Sequence, residues 1–176
     1  KKIVIKIGSS SIIDEKKEKI KMKWLNSVCK DIKKLNDQNK NIVIVSSGAV
    51  ALGAKIITKK KIIRRLEDKQ AAAAIGQIEL ANCWQQTLKK NKINSAQLLL
   101  TLDDSEIRRR YLNVRKTISS LHKNKVIPII NENDTIATEE IRYGDNDRLA
   151  ARVAQMIDAD LLIMLTDVDG LYTISP

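Results

Sequence analysis

Apolar positions along this chain fall into two kinds of stretch that alternate. Lys2 to Ile7 (KIVIKI), Asn41 to Val45 (NIVIV), Ala96 to Leu100, Val126 to Ile130 (VIPII) and Leu161 to Leu165 (LLIML) are short, nearly continuous apolar runs. Runs of this length and composition predict strands. Between them the apolar residues recur at helical spacing. Ile20, Trp24, Leu25, Val28, Ile32 and Leu35 predict a helix, and the small residues from Ala49 to Ile57 predict a tight one. Thr58 to Leu66 reads as a basic loop. Glu67 to Leu88 reads as a long helix that packs closely at Ala71 to Ala74, with Ile75, Ile78, Ala81, Trp84 and Leu88 on its buried side. Ser105 to Lys123 is helical, in one piece or two. Asn131 to Tyr143 is a polar excursion, and Asp145 to Ile157 is a last helix. Strands that are apolar on both faces are covered on both faces, which calls for parallel pairing. The expected fold class is therefore α/β: an open, mainly parallel sheet sandwiched by helices. No repeat or linker interrupts the pattern, so residues 1–176 read as a single domain.

Composition adds exclusions. A chain of 176 residues buries roughly 70% of its unfolded surface and needs neither disulfide nor metal to fold. No apolar run approaches the roughly 20 residues of a membrane span. Cys29 and Cys83 both fall in helical stretches and are expected to pack rather than pair. The opening is strand-like up to Gly8 rather than a secretory leader, so the expected compartment is the cytoplasm. Net charge is +11, divided as +18 over residues 1–125 and −7 over residues 126–176. A basic chain invites a nucleic-acid reading. However, the lysines are scattered, and three Tyr, two Trp and no Phe leave little for base stacking. The lysines read as solvated helix faces, and nucleic acid is not an expected partner.

In open α/β sheets ligands sit at the carboxyl ends of strands, where this sequence turns polar. Gly8-Ser9-Ser10-Ser11 follows the first strand: it is either an ordinary turn or a cradle of backbone N–H groups for phosphate. Lys6, two residues earlier, interrupts an apolar strand, and a buried ammonium needs an anion. Ser46-Ser47-Gly48-Ala49 follows the second strand, where Ser47 either caps a helix or offers its hydroxyl to a ligand. Asn131-Glu132-Asn133-Asp134 follows the fourth strand, and Asp134 either shapes an Asx turn or meets a substrate cation. Gly144-Asp145-Asn146-Asp147-Arg148 opens a helix, where one carboxylate suits the dipole and two together recruit cations. Thr166-Asp167-Val168-Asp169-Gly170 resembles a calcium loop only at its start. P-loop, dinucleotide and protein-kinase fingerprints are missing, and a single histidine, His122, argues against a histidine triad or zinc site.

The stretches KIVIKIGSSSI, IVIVSSGAVALG, INENDTIATEEIRYGDNDRLAARVA and LTDVDGLYT, in this order, resemble the amino acid kinase family. The pairing of INEND with YGDND resembles its glutamate-phosphorylating members in particular. The resemblance implies ATP-dependent phosphorylation of the γ-carboxylate of L-glutamate at the start of proline synthesis. It implies Lys6 and Asp147 as catalytic residues. It implies Ser47, Asp134 and Asn146 for glutamate, with Gly48 and Asn131 beside them, and Lys6, Gly8, Ser9, Thr166 and Asp167 for ATP. Mg²⁺ would ride on the nucleotide, proline would act as a feedback inhibitor, and a homo-oligomer is expected. The family's ATP-covering part and the carboxyl-terminal PUA domain of many members are not matched in residues 1–176, so a fragment is expected. A related kinase with another acceptor, or a fragment that binds glutamate or proline without turnover, stays open.

Overall fold

Five strands form one parallel sheet in the computed structural model, which describes residues 1–14, 19–57, 63, 65–137 and 146–166. The chain runs β1 (Lys2–Ile7), α1 (Ser9–Ile12), a small antiparallel pair β2 (Ile13–Asp14) and β3 (Lys19–Ile20), α2 (Met22–Asp37), β4 (Asn41–Ser46), α3 (Ala49–Ile57) and α4 (Leu66–Lys90). It continues through β5 (Asn94–Leu100), α5 (Asp103–Glu106), α6 (Arg108–Lys123), β6 (Val126–Glu132), α7 (Asn146–Met156) and β7 (Leu161–Leu165). The sheet order is β5-β6-β4-β1-β7, with every neighbouring pair parallel. The α/β class expected from the apolar runs is what the chain adopts. Among the described residues no helix is long and apolar enough to cross a membrane.

Side chains alternate between the faces of a strand, and this parity organises the molecule. Ile3, Ile5, Ile7, Ile42, Ile44, Ile127 and Ile129 join Leu25, Cys29 and Ile32 of α2 and Leu80, Trp84 and Leu88 of α4 in one core layer. Val4, Val43, Val45 and Ile130 join Ile118 of α6 and Leu149, Ala150 and Val153 of α7 in the other. Each fully buried side chain of this size contributes roughly 1.5–3 kcal/mol.

Helix α3 crosses α4 at a contact that only glycine permits. A Cβ on Gly53 would lie 1.9 Å from the Ala72 carbonyl oxygen, and one on Gly76 would lie 1.9 Å from that of Ala49. The small residues from Ala49 and from Ala71 thus serve the close packing expected of them. The expected buried side of α4 holds at Trp84 and Leu88, both fully buried, and fails at Ile78, which is 75% exposed; Ala72, Ala73, Gly76, Leu80 and Thr87 complete the inward stripe. The glycine crossing sets the helix's rotation, and Ile78 falls outside that stripe. Ile20 likewise belongs not to α2 but to β3, where it pairs with Ile13. Ser105 to Lys123 is divided between α5 and α6, and the loop expected from Thr58 lies mostly outside the described residues.

Candidate active site

Strand parity decides where each polar residue at the carboxyl rim points. Lys6 shares the parity of Val4, so its side chain turns toward the α7 layer. There it meets Asp147, placed in the first turn of α7, with Nζ 2.5 Å from Oδ1. Lys6 is 8% exposed, so the anion demanded by an ammonium inside an apolar strand is supplied from within the fold. Asp147 also sits where the helix dipole favours negative charge.

Ser46 and Asn131 share the parity of Ile44 and Ile129 and turn the other way, toward α4. Trp84 donates its indole N–H to Ser46 Oγ at 2.9 Å, and Asn131 Nδ2 donates to Gln77 Oε1 at 2.7 Å. With its N–H₂ engaged there, Asn131 offers Oδ1 to the Glu132 amide at 2.9 Å and to Asn146 Nδ2 at 2.9 Å. Asn146 Nδ2 also approaches the Ser46 carbonyl at 2.8 Å and Ser47 Oγ at 2.7 Å. One amide from α7 therefore ties the ends of β4 and β6 together, and the Ser47 hydroxyl takes part in that tie. A half-buried network of this kind is rigid only when each member is satisfied.

Gly48 adopts φ +119°, and a Cβ there would stand 2.7 Å from Ile13 Cδ1. The β2–β3 pair thus packs over a turn that only glycine fits without strain. The Gln70 side chain donates to the Ala137 carbonyl at 3.1 Å and so pins the turn carrying Asp134 to α4.

Beside this frame lies a cleft of about 530 Å³ bounded by α3, α4 and the ends of β4 and β6. Ser9, Ser47, Gly48, Asn131, Asp134 and Asn146 all line it. Lys6 and Asp147 are not among its lining residues; Asp147 follows Asn146 in the chain. The pairing of Ile7 with Leu165 carries Gly8 and Thr166 side by side past the ends of β1 and β7. The Gly8 amide points to the Leu165 carbonyl at 3.4 Å, and a Cβ on Gly8 would sit 3.5 Å from Lys6 Nζ, an ordinary contact distance. Asp145 and Asp167 lie outside the described residues. A separate hollow of about 350 Å³ between α4 and β5 shares Ser46, Gln77 and Asn131 with this frame but is lined mainly by apolar and amide groups.

Gln77, Lys69 and Ile13 carry no signal in the sequence that marks them for this rim, and Trp84 is legible there only as a core residue. Gly53 and Gly76 mark the α3–α4 crossing, and Gln77 stands one residue beyond it. The Cys29 thiol, buried in the apolar layer, is pushed up to about 12 by desolvation and belongs to the core.

A parallel α/β sheet with a polar cleft at the carboxyl ends of its strands is the arrangement in which folds of this class bind small ligands. The chain belongs to the amino acid kinase family, whose sequence pattern matches residues 1–176. It is 58% identical over 174 residues to a glutamate 5-kinase of Pelagibacter ubique, covering 99% of this chain and 47% of that protein. Similar relatives are glutamate 5-kinases of Rhizobium johnstonii, 54% identical over 176 residues (100% of this chain, 45% of that protein), and Agrobacterium fabrum, 55% over 175 (99% and 45%). The chain thus spans a little under half the length of these curated relatives.

Proposed function

We propose that the protein containing this chain transfers the γ-phosphoryl group of ATP to the γ-carboxylate of L-glutamate, giving γ-glutamyl phosphate for proline synthesis. The observation that carries this reading is a polar cleft at the strand ends, lined by Ser47, Gly48, Asn131, Asp134 and Asn146, on the same rim as the Lys6–Asp147 pair and the paired ends of β1 and β7. In this reading residues 1–176 form the substrate-binding part of one amino acid kinase domain. A cytoplasmic location, a homo-oligomer and proline as a feedback ligand go with it.

The geometry suits the chemistry. Two anions must be brought together, and phosphoryl transfer asks the protein for in-line placement and cancellation of negative charge rather than for a covalent intermediate. Lys6 carries that positive charge on the same rim, where its burial in a dry setting strengthens it. Asp147 holds the ammonium in place and does not touch the phosphate. Asp134 answers the ammonium of glutamate, and the Asn146 tie fixes the distance between the two strand ends that carry the substrate. Gly8 shapes the turn, while Ser9 and the serines after it, with no side chain capping α1, present backbone N–H groups to the phosphates, and Thr166 and Asp167 meet the nucleotide. ATP brings the phosphoryl group and Mg²⁺.

The test is direct. The full-length protein is incubated with glutamate, Mg-ATP and hydroxylamine beside an active control. γ-Glutamyl hydroxamate is expected, and its absence refutes the reading.

A further inference from the structure

The charges around the cleft are not all accounted for by the roles above. Glu132 and Asp134 line it from the end of β6 and the following turn, and Lys69 lines it from the first turns of α4. Lys69 is half-buried and is the one cationic side chain lining the cleft among the described residues. It makes no hydrogen bond or ion pair there with any described residue, whereas Asp134 and Glu132 each have a partner. Its distance from Asp134 is not left to chance. The next residue, Gln70, is bonded to the Ala137 carbonyl at 3.1 Å, and that bond joins α4 to the turn bearing Asp134.

A cleft with a fixed carboxylate on one wall and an uncommitted ammonium on the other matches a zwitterion. An α-amino acid carries its ammonium and its α-carboxylate on the same carbon. If Asp134 takes the ammonium, the carboxylate beside it requires a cation, because a desolvated carboxylate without one is costly. Lys6 is not among the residues that line the cleft, so it does not supply that cation. We infer that Lys69 binds the α-carboxylate of the substrate and is the residue that restricts the cleft to amino acids. This rests on the glutamate reading and adds to it the recognition of the group that does not react.

The test compares glutamate with 4-aminobutyrate, which is glutamate without its α-carboxylate, in the hydroxamate assay on the full-length protein. The wild type is expected to prefer glutamate in kcat/KM. Lys69→Met should shrink that preference by at least about tenfold, through the KM for glutamate, and Lys69→Arg should keep most of it. Thermal melting checks folding, and Lys69→Gln replaces the Met variant if that one does not fold. A preference that stays within about twofold of wild type in an active, folded variant overturns the Lys69 role and leaves the glutamate reading standing. So does a wild type that uses both substrates equally. No hydroxamate from glutamate with the wild type overturns both.

Discussion

At the amino rim of the sheet four helices hand the chain to four strands, and each handover passes through a residue other than glycine at positive φ. These are Asn39 at 56°, Lys92 at 59°, Lys125 at 56° and Asp158 at 52°. Lys40, Ile93 and Ala159 donate back to carbonyls five residues earlier, the bond that closes a helix with a left-handed cap. Charges at this rim have fixed partners. The Lys2 amide meets Asp160 Oδ2 at 2.6 Å and its ammonium meets the Ile157 carbonyl at 2.7 Å, while Arg115 pairs with Asp158 at 2.5 Å. At the carboxyl rim the handovers run from strand to helix and use Gly8 and Gly48, and the polar groups surround open volume. One rim spends its polar groups on closing the chain, and the other arrays them around a cleft. Substitutions at the two ends should therefore separate stability from turnover.

The largest separation is expected at Lys6. Lys6→Ala should lower kcat by about a thousandfold, and thermal melting checks that the variant folds, since the buried Asp147 Oδ1 loses the Lys6 charge. Near-normal kcat in a folded variant would remove Lys6 from phosphate chemistry. Gly48→Ala comes next. It forces a Cβ into the left-handed region and against Ile13, so it should cost about 2 kcal/mol in denaturant unfolding and raise the KM for glutamate. Unfolding at the wild-type midpoint would show that the turn relaxes freely.

Gln77 tests the frame behind the cleft. Gln77→Leu removes the acceptor that orients Asn131 and should raise the glutamate KM about tenfold while sparing the KM for ATP. Gln77→Glu, which keeps an acceptor in place, should recover most of that loss. An equal rise in both Michaelis constants would point to general damage instead.

The parallel sheet was legible because both-face burial leaves unbroken apolar runs, and the rim was legible because those runs stop at Gly, Ser, Asn and Asp. Lys6 could be read from its cost alone: an ammonium amid Ile and Val needs a counter-charge. The Gln77 link and the Ile13 contact with Gly48 were not legible, because they depend on how α4 and the β2–β3 pair lie over the sheet. The misplacing of Ile78 on the inward side of α4 had the same origin. Apolar periodicity favours Ile78, but the glycine contact rotates the helix until Ile78 is 75% exposed.

At the amino rim effects should be small and confined to stability. Lys92 and Lys125 each hold a side chain in the left-handed region, so Lys92→Gly or Lys125→Gly relieves that strain at some cost in unfolded-state entropy. The net gain should be at most about 1 kcal/mol, with hydroxamate formation unchanged. A clear loss of activity from either variant would break the division between the rims.

The smallest effect is expected at His122, whose Nε2 lies 3.0 Å from the Ile42 carbonyl at the amino end of β4. Burial pulls its pKa below the ordinary 6.5, the hydrogen bond to Ile42 opposes that, and the neighbouring Lys2 ammonium adds to the lowering. The folded state therefore takes up this proton less readily than the unfolded chain. Above pH 6.5 the imidazole is neutral in both states and contributes its full share. As the pH falls below that value the unfolded chain gains the proton first, and stability declines until the folded pKa is passed. Urea midpoints at pH 7 and near pH 5 should differ less for His122→Gln than for wild type, with activity ratios at the two pH values unaltered by the substitution. Equal pH dependence in the two proteins would assign the acid sensitivity to other groups. A changed activity ratio would mean that the amino rim reaches the cleft after all.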